Sequence, residues 1–193
     1  MEILNFLNGV YPMSPELINY LSNILKTKTL KKDEYLLRAG DICKNVYFVK
    51  KGLLRSLYLK GDKEISKWFM KENDVVYAVK SFLEQVPSLE SIQALDDCTL
   101  QYITYSQLQD VCRRFPEFLN HRSILTEHYY KLSEERHAIV LYPKAIERYQ
   151  YLLQNYPELI GRVPAKYIAS YLGVSKATLN RHKNMLYGHP KNK

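Results

Sequence analysis

The sequence predicts an α+β fold: a strand-rich first half closed into a small barrel or jelly roll, one long central helix, and a helical C-terminal unit built around a helix-turn-helix. Three observations carry that expectation. From about Lys31 to Ser106 runs such as "NVYFVKKGLLRSLYLKGDKEISKWFM" are rich in Val, Tyr, Phe and Leu, with turns at Gly52 and Gly61-Asp62. Between Pro116 and Pro143 the apolar residues Phe118, Leu125, Leu132 and Ile139 recur every seven positions. Near the end, "IASYLGVSKATLNRH" sets a lone glycine, Gly173, between two helix-like runs.

The elements follow in order. "MSPELINYLSNIL" reads as a helix, with Ser14 as N-cap, Pro15 at the first helical position, and Leu17, Ile18, Leu21 and Leu25 on one face. The strands come next. The long helix is expected over 116–142, with Pro116 in its first turn and Pro143 marking its end. Its stripe of Phe118, Leu125, Tyr129, Leu132 and Ile139 predicts a coiled-coil-like seam with a second copy, although Arg122 and Arg136 interrupt it at alternate positions. In the last region Ile168 and Leu172 face a core, and Ala169 is small where two helices pass closely. Gly173 can take the left-handed conformation that ends the first helix. Ser175 caps the second helix, Val174 and Leu179 pack it back, and Lys176, Thr178 and Arg181 remain on the outer face with Lys183 beyond. That plan puts the second helix against a DNA major groove.

Charge points the same way. The stretch from Pro143 to Lys193 holds nine Lys and Arg against two acids, a net +7 of the chain's +8. A local excess of that size favours a polyanion. No apolar run approaches the roughly 18 residues that span a membrane, and Met1–Val10 does not read as a signal peptide, so a cytoplasmic protein with no membrane partner is expected. The three cysteines, Cys43, Cys98 and Cys112, are scattered and form no CxxC pair, so neither a metal nor a cofactor is expected. No nucleophile–base pair or Gly-rich phosphate loop suggests an enzyme, and no catalytic residue is assigned.

With its strand-rich first half, long helix and "VPAKYIASYLGVSKATLNRHK", the chain resembles the Crp/Fnr transcription regulators over essentially its whole length. "AIERYQYLLQNYPELIGRVP" resembles most the group common in Bacteroidetes-type bacteria. The resemblance implies a cyclic-nucleotide-binding-type sensor domain, a double-stranded β-helix, over 1–115. It implies a dimerisation helix over 116–142 and a winged-helix-like DNA-binding domain over 143–193. It further implies a homodimer on near-palindromic double-stranded DNA, with RNA polymerase as a further partner. Base or phosphate contacts would fall to Ser175, Lys176, Thr178, Arg181 and Lys183, with Lys166 near a phosphate.

The departures are as informative. Lys176-Ala177 stands where the best-known members carry Arg-Glu, so the DNA sequence read should differ. His182 replaces an aliphatic residue and reads as half-buried and structural, and after "MLYGHPKNK" no hairpin wing is evident. In the sensor half, Tyr77-Ala78-Val79-Lys80 aligns with the motif whose acid holds the ribose, and Ser88-Leu89 with the phosphate-binding Arg-Ser pair. Acid and arginine are both missing. A pocket near Tyr77, Lys80, Glu84, Ser88, Leu89 and Tyr129 is therefore not expected to bind cyclic AMP in the family manner, and the effector stays open. His121 and His128, seven apart, read as packed or solvated rather than as haem ligands. The rival reading is a ligand-binding regulatory protein that acts through protein contacts, its basic segment docking on an acidic partner.

Overall fold

The computed structural model describes residues 2–187. Two short helices open the chain, α1 (Ile3–Val10) and α2 (Pro15–Ile24). Ser14 caps α2 as its sequence suggests: the Leu17 N–H donates to Ser14 Oγ at 3.2 Å. The same hydroxyl donates to Glu117 Oε1 at 2.6 Å, which fastens α2 to the chain just before the long helix.

Eight strands follow: β1 (Lys26–Leu30), β2 (Tyr35–Leu37), β3 (Asn45–Lys51), β4 (Leu54–Lys60), β5 (Lys63–Met70), β6 (Val75–Val76), β7 (Glu90–Ala94) and β8 (Cys98–Thr104). They form two antiparallel four-stranded sheets, ordered β1-β8-β3-β6 and β2-β7-β4-β5. The sheets face each other over a core that includes Val49, Leu54, Ile92, Ala94 and Leu100, a jelly-roll-like sandwich. A single-turn helix, α3 (Val79–Glu84), bridges β6 and β7.

In the ladder of β4 with β5, Ser56 pairs with Trp68 and Leu57 with Ser66, leaving Lys67 as the extra residue of a β-bulge. Bulges re-aim side chains and are common beside functional sites.

After β8 the described chain is helical. α4 (Tyr105–Arg114) starts on a capping box between Thr104 and Gln107. α5 (Phe118–Leu141) is the long helix. Then come α6 (Ala145–Asn155), α7 (Pro157–Arg162), α8 (Ala165–Leu172) and α9 (Lys176–Tyr187). No strand follows β8 among the described residues, and the expected absence of a wing falls partly on residues 188–193, outside them.

α5 corrects the sequence reading of its apolar stripe. Phe118 is buried against α1 and α2, and Ile139 is fully buried among the C-terminal helices. Leu125 packs on the N-terminal core, Tyr129 Oη accepts the Val75 N–H at 2.7 Å, and Leu132 lines a cleft with Phe69 and Tyr171. The seven-residue repeat is the helix's contact with its own chain. The opposite face, with Ile124, Tyr130, Ala138 and Leu141, is exposed.

Gly52 illustrates how tightly the roll closes. Its φ is +110°, and a Cβ there would meet Cys98 Sγ at 2.5 Å and Asp97 O at 2.9 Å. Gly52→Ala should lower the unfolding free energy by roughly 2–4 kcal/mol, from backbone strain plus overpacking. Gly9→Ala, in α1 with no atom within 4 Å of the new Cβ, should be neutral or raise it by a few tenths. Urea titration of the two variants checks this, and equal effects would refute it.

Candidate functional site

The C-terminal helices are built by local rules. Gly173 adopts φ +66° and ends α8. Its N–H donates to Ser170 O at 3.2 Å, and the Val174 N–H reaches back to Ala169 O at 2.9 Å, a Schellman-type closure. Two residues on, the Thr178 N–H donates to Ser175 Oγ at 3.0 Å, starting α9. Ile168, Ala169, Leu172 and Leu179 are buried between the two helices, and Val174 packs against them.

That packing decides what stays outside. Ser175, Lys176 and Arg181 are exposed at and beyond the N-terminus of α9, Thr178 and Lys183 are half-buried, and Lys166 is exposed on α8. Thr178 and Arg181 lie one turn apart on α9. Lys166 Nζ sits 4.6 Å over the Tyr167 ring. After Glu158 the sequence holds no acid at all, so nothing nearby in the chain offsets these cations. His182 is half-buried, its Nδ1 shielded from solvent without a partner.

The other face of α8 is docked on the roll. Ser170 Oγ accepts the Ser66 N–H at 3.0 Å and donates to Glu64 O at 2.9 Å. Arg55, only 1% exposed, places its guanidinium 3.6 Å over the Tyr167 ring. It donates to Gln93 Oε1 at 3.0 and 2.7 Å and pairs with Glu64. Phe69 meets Tyr171 at 5.2 Å. From α5, Arg136 lies 3.8 Å over the Tyr171 ring and donates to that residue's carbonyl. Burial pushes the Tyr171 phenol up to about 12.

The roll holds a cavity of about 160 Å³ at the α5 side, lined by Ser56, Lys67, Trp68, Tyr77, Glu90 and Tyr129 among others. Of the six residues expected there, only Tyr77 and Tyr129 line it. Lys80 and Glu84 are exposed on α3, Leu89 is 74% exposed, and the buried Ser88 directs its hydroxyl to Glu90 O at 2.7 Å. The charged groups inside are ones the sequence reading passed over: Lys67 Nζ contacts both Glu90 carboxylate oxygens, at 3.1 and 3.2 Å. Burial works against the charge on Lys67, but Glu90 and Tyr58 outweigh it and raise its pKa. The bulge is what brings Lys67 here, and no residue pattern in "EISKWFM" announces a bulge. The cysteines are free; Cys43 and Cys98 are buried and Cys112 half-buried.

Comparison with known proteins places this architecture. The profile of the cyclic nucleotide-binding domain family matches residues 27–115. No curated protein matches the chain by sequence. Among solved structures, one described as a transcriptional regulator of the Crp/Fnr family from Eubacterium rectale superposes with a TM-score of 0.75 at 17% identity, covering 98% of this chain and 91% of that one. CLP, the c-di-GMP responsive global regulator of Xanthomonas campestris, gives 0.72 at 17% identity over 93% of this chain and 97% of its own. FixK2 from Bradyrhizobium japonicum gives 0.71 at 21% over 88% and 90%.

One ion-pair cluster ties the two halves together and generates a pH test. Arg162 of α7 grips Glu72 through two hydrogen bonds, 2.7 and 3.1 Å, and reaches Asp96 at 3.3 Å, while Glu72 also accepts the Gly52 N–H at 2.8 Å. The Arg162 guanidinium holds the Glu72 carboxyl down to about 2. A carboxylate depressed on folding stabilises the fold fully above its unfolded pKa of about 4.3, and that contribution fades as pH falls toward the folded value. Glu72→Gln should therefore cost about 1 kcal/mol at pH 7, allowing for solvent screening, and the difference from wild type should shrink between about pH 4 and pH 2. Melting both proteins across that range measures it; a pH-independent difference would refute the assignment.

Residues 27–115 thus match the profile of the cyclic nucleotide-binding domain family, in a chain whose fold is like that of the solved transcriptional regulator of the Crp/Fnr family from Eubacterium rectale.

Proposed function

We propose that this chain is a sequence-specific DNA-binding transcription regulator of the Crp/Fnr type that acts as a homodimer in the cytoplasm, and that it is not an enzyme. The observation that carries the reading is the α8–α9 pair: a glycine-closed turn, a serine-capped second helix, and exposed Lys176 and Arg181 in a stretch without acids. A helix N-terminus adds its own positive dipole toward phosphate, and α9 is long enough to lie in a major groove. The solved structures with the same fold include proteins described as transcriptional regulators, which supports the same reading.

In this reading Ser175, Lys176, Thr178, Arg181 and Lys183 face DNA and Lys166 holds a phosphate. The roll cavity does not take cyclic AMP in the family manner. Its cation, Lys67, already has Glu90 as counter-ion, and about 160 Å³ is below the usual range of ligand pockets, about 300–1,000 Å³.

Two substitutions separate reading from anchoring. Arg181→Ala should flatten the preference for one base pair in each half-site, at a cost of roughly 1–3 kcal/mol of discrimination. Lys166→Ala should weaken binding to all sequences alike and lower the salt slope by about one. Site selection with both variants, followed by salt titration, tests this. An Arg181→Ala protein that keeps the wild-type sequence preference removes α9 as the reader.

The second copy would meet the outward face of α5, where Ile124, Ala138 and Leu141 lie along one side with Glu127, Lys131 and Glu134 between them. Ile124→Asp should raise the dimer dissociation constant at least tenfold, because a carboxylate in an apolar seam costs on the order of 2 kcal/mol or more. Sedimentation equilibrium reads this directly, and an unchanged dimer constant counts against that face.

A further inference from the structure

A larger cavity adjoins the roll. It encloses about 350 Å³ between α1, α2, α3 and the first half of α5, beside β3, β6 and β8. Its wall is almost wholly Leu, Ile, Val, Phe and Tyr, and no carboxylate lines it. The one charged side chain in the wall is Arg122. Among the described residues its guanidinium has a single hydrogen bond, Nη1–H to the thiol sulfur of Cys112 at 3.4 Å, and no acidic partner. Sulfur is a weak acceptor, so most of the five-donor fork is uncommitted. The positive charge reaches the cavity's aromatic wall: burial raises the Tyr77 phenol, and Arg122 opposes that rise.

One turn-neighbour adds a second signal. His121 also lines the cavity and is fully buried. Its Nε2–H donates to Tyr11 O at 2.9 Å, and its Nδ1 is buried with no hydrogen-bond partner in the protein. Buried polar atoms without partners are rare in native folds and call for an explanation, a bound polar group being one. Both polar side chains stand on α5, so the cavity has one polar edge and an apolar body.

We propose that this cavity is a ligand site for an apolar small molecule bearing a single carboxylate, with Arg122 as its anion clamp. A guanidinium fork matches a carboxylate through two parallel N–H···O bonds. One cation balances one negative charge; a phosphate dianion would leave a second charge uncompensated among aliphatic side chains. The volume suits a ligand at the small end of the drug-like range, about 300 Å³ and up. The site adjoins the Lys67–Glu90 cavity, sharing Val75, Tyr77, Val79 and Tyr129 as walls, but only it is lined by His121 and Arg122; it does not depend on what α9 contacts.

The test is calorimetry on the full chain with decanoate, kept below its micelle concentration, and 1-decanol as uncharged comparator. Wild type should bind decanoate one to one with micromolar affinity. Arg122→Met should weaken decanoate by roughly ten- to a hundredfold and leave 1-decanol unchanged. Arg122→Lys, which keeps the charge but not the fork, carries the comparison if the Met variant does not fold, and should lose severalfold. Lys63→Met removes an exposed cation from β5 and should leave decanoate affinity at the wild-type value. Absence of saturable decanoate binding by wild type overturns the proposal. So does an equal loss in Arg122→Met and Lys63→Met, which would mean diffuse surface charge, or an equal loss for acid and alcohol in the Arg122 variants.

Discussion

The position of the C-terminal helices depends on one buried cation. Arg55, on the central strand of its sheet, is the only Lys or Arg among the described residues that is fully buried. Desolvating a guanidinium costs several kcal/mol unless its donors and charge are matched. Most of the matching comes from both sides of an interface: Gln93 and Glu64 from the roll take Nε and Nη2, and the face of Tyr167 from α8 covers the charge, while Nη1 is buried without a hydrogen-bond partner. Without α8 over it, Arg55 would open to water, and with α8 over it the stacking fixes both the height and the rotation of that helix. Ser170, bridging Ser66 and Glu64, then sets its slide along β5. Since α9 follows α8 after one tight turn, its orientation relative to the roll is inherited from these few polar contacts.

Much of this was legible in the sequence, and the exceptions have physical causes. Ser14, Pro116, Pro143 and Gly173 act through their own backbone neighbours, so their effects can be read locally, and the helices begin or end at or within a few residues of them. The apolar repeat on α5 is also real. Periodicity reports that a face is covered and carries no information on what covers it, so a stripe buried against the chain's own cores reads like a seam between copies. Arg122 and Arg136 were the discordant letters. One lies over Tyr171 and the other faces an apolar cavity, roles that a Leu-like seam has no place for.

The interior of the roll was harder to see. Glu90 and Lys67 come from β7 and β5, which are not neighbours but flank β4. Their meeting requires the register of two ladders and a bulge at Lys67 itself. A single sequence shows Lys67 as one more polar residue in an alternating strand. The family motif misled for a related reason: Ser88-Leu89 occupies the aligned position, but Leu89 turns outward and Ser88 closes a local turn onto Glu90, so the chemistry shifted to a different pair of side chains.

α5 is anchored at three places, in two apolar clusters and by one hydrogen bond to the roll. Phe118 belongs to the one formed with α1 and α2, Tyr129 is bonded to β6 of the roll, and Ile139 sits in the one formed with α6, α8 and α9. A helix advances 1.5 Å and turns about 100° per residue, so none of these anchors can slip by a residue without tearing out the others. A rod fixed at both ends and in the middle has no soft mode of its own, and loosening any one anchor removes support from the remaining two. Heat or denaturant should therefore find one cooperative unit along the whole length of the chain, rather than a stable roll trailing an independently melting tail.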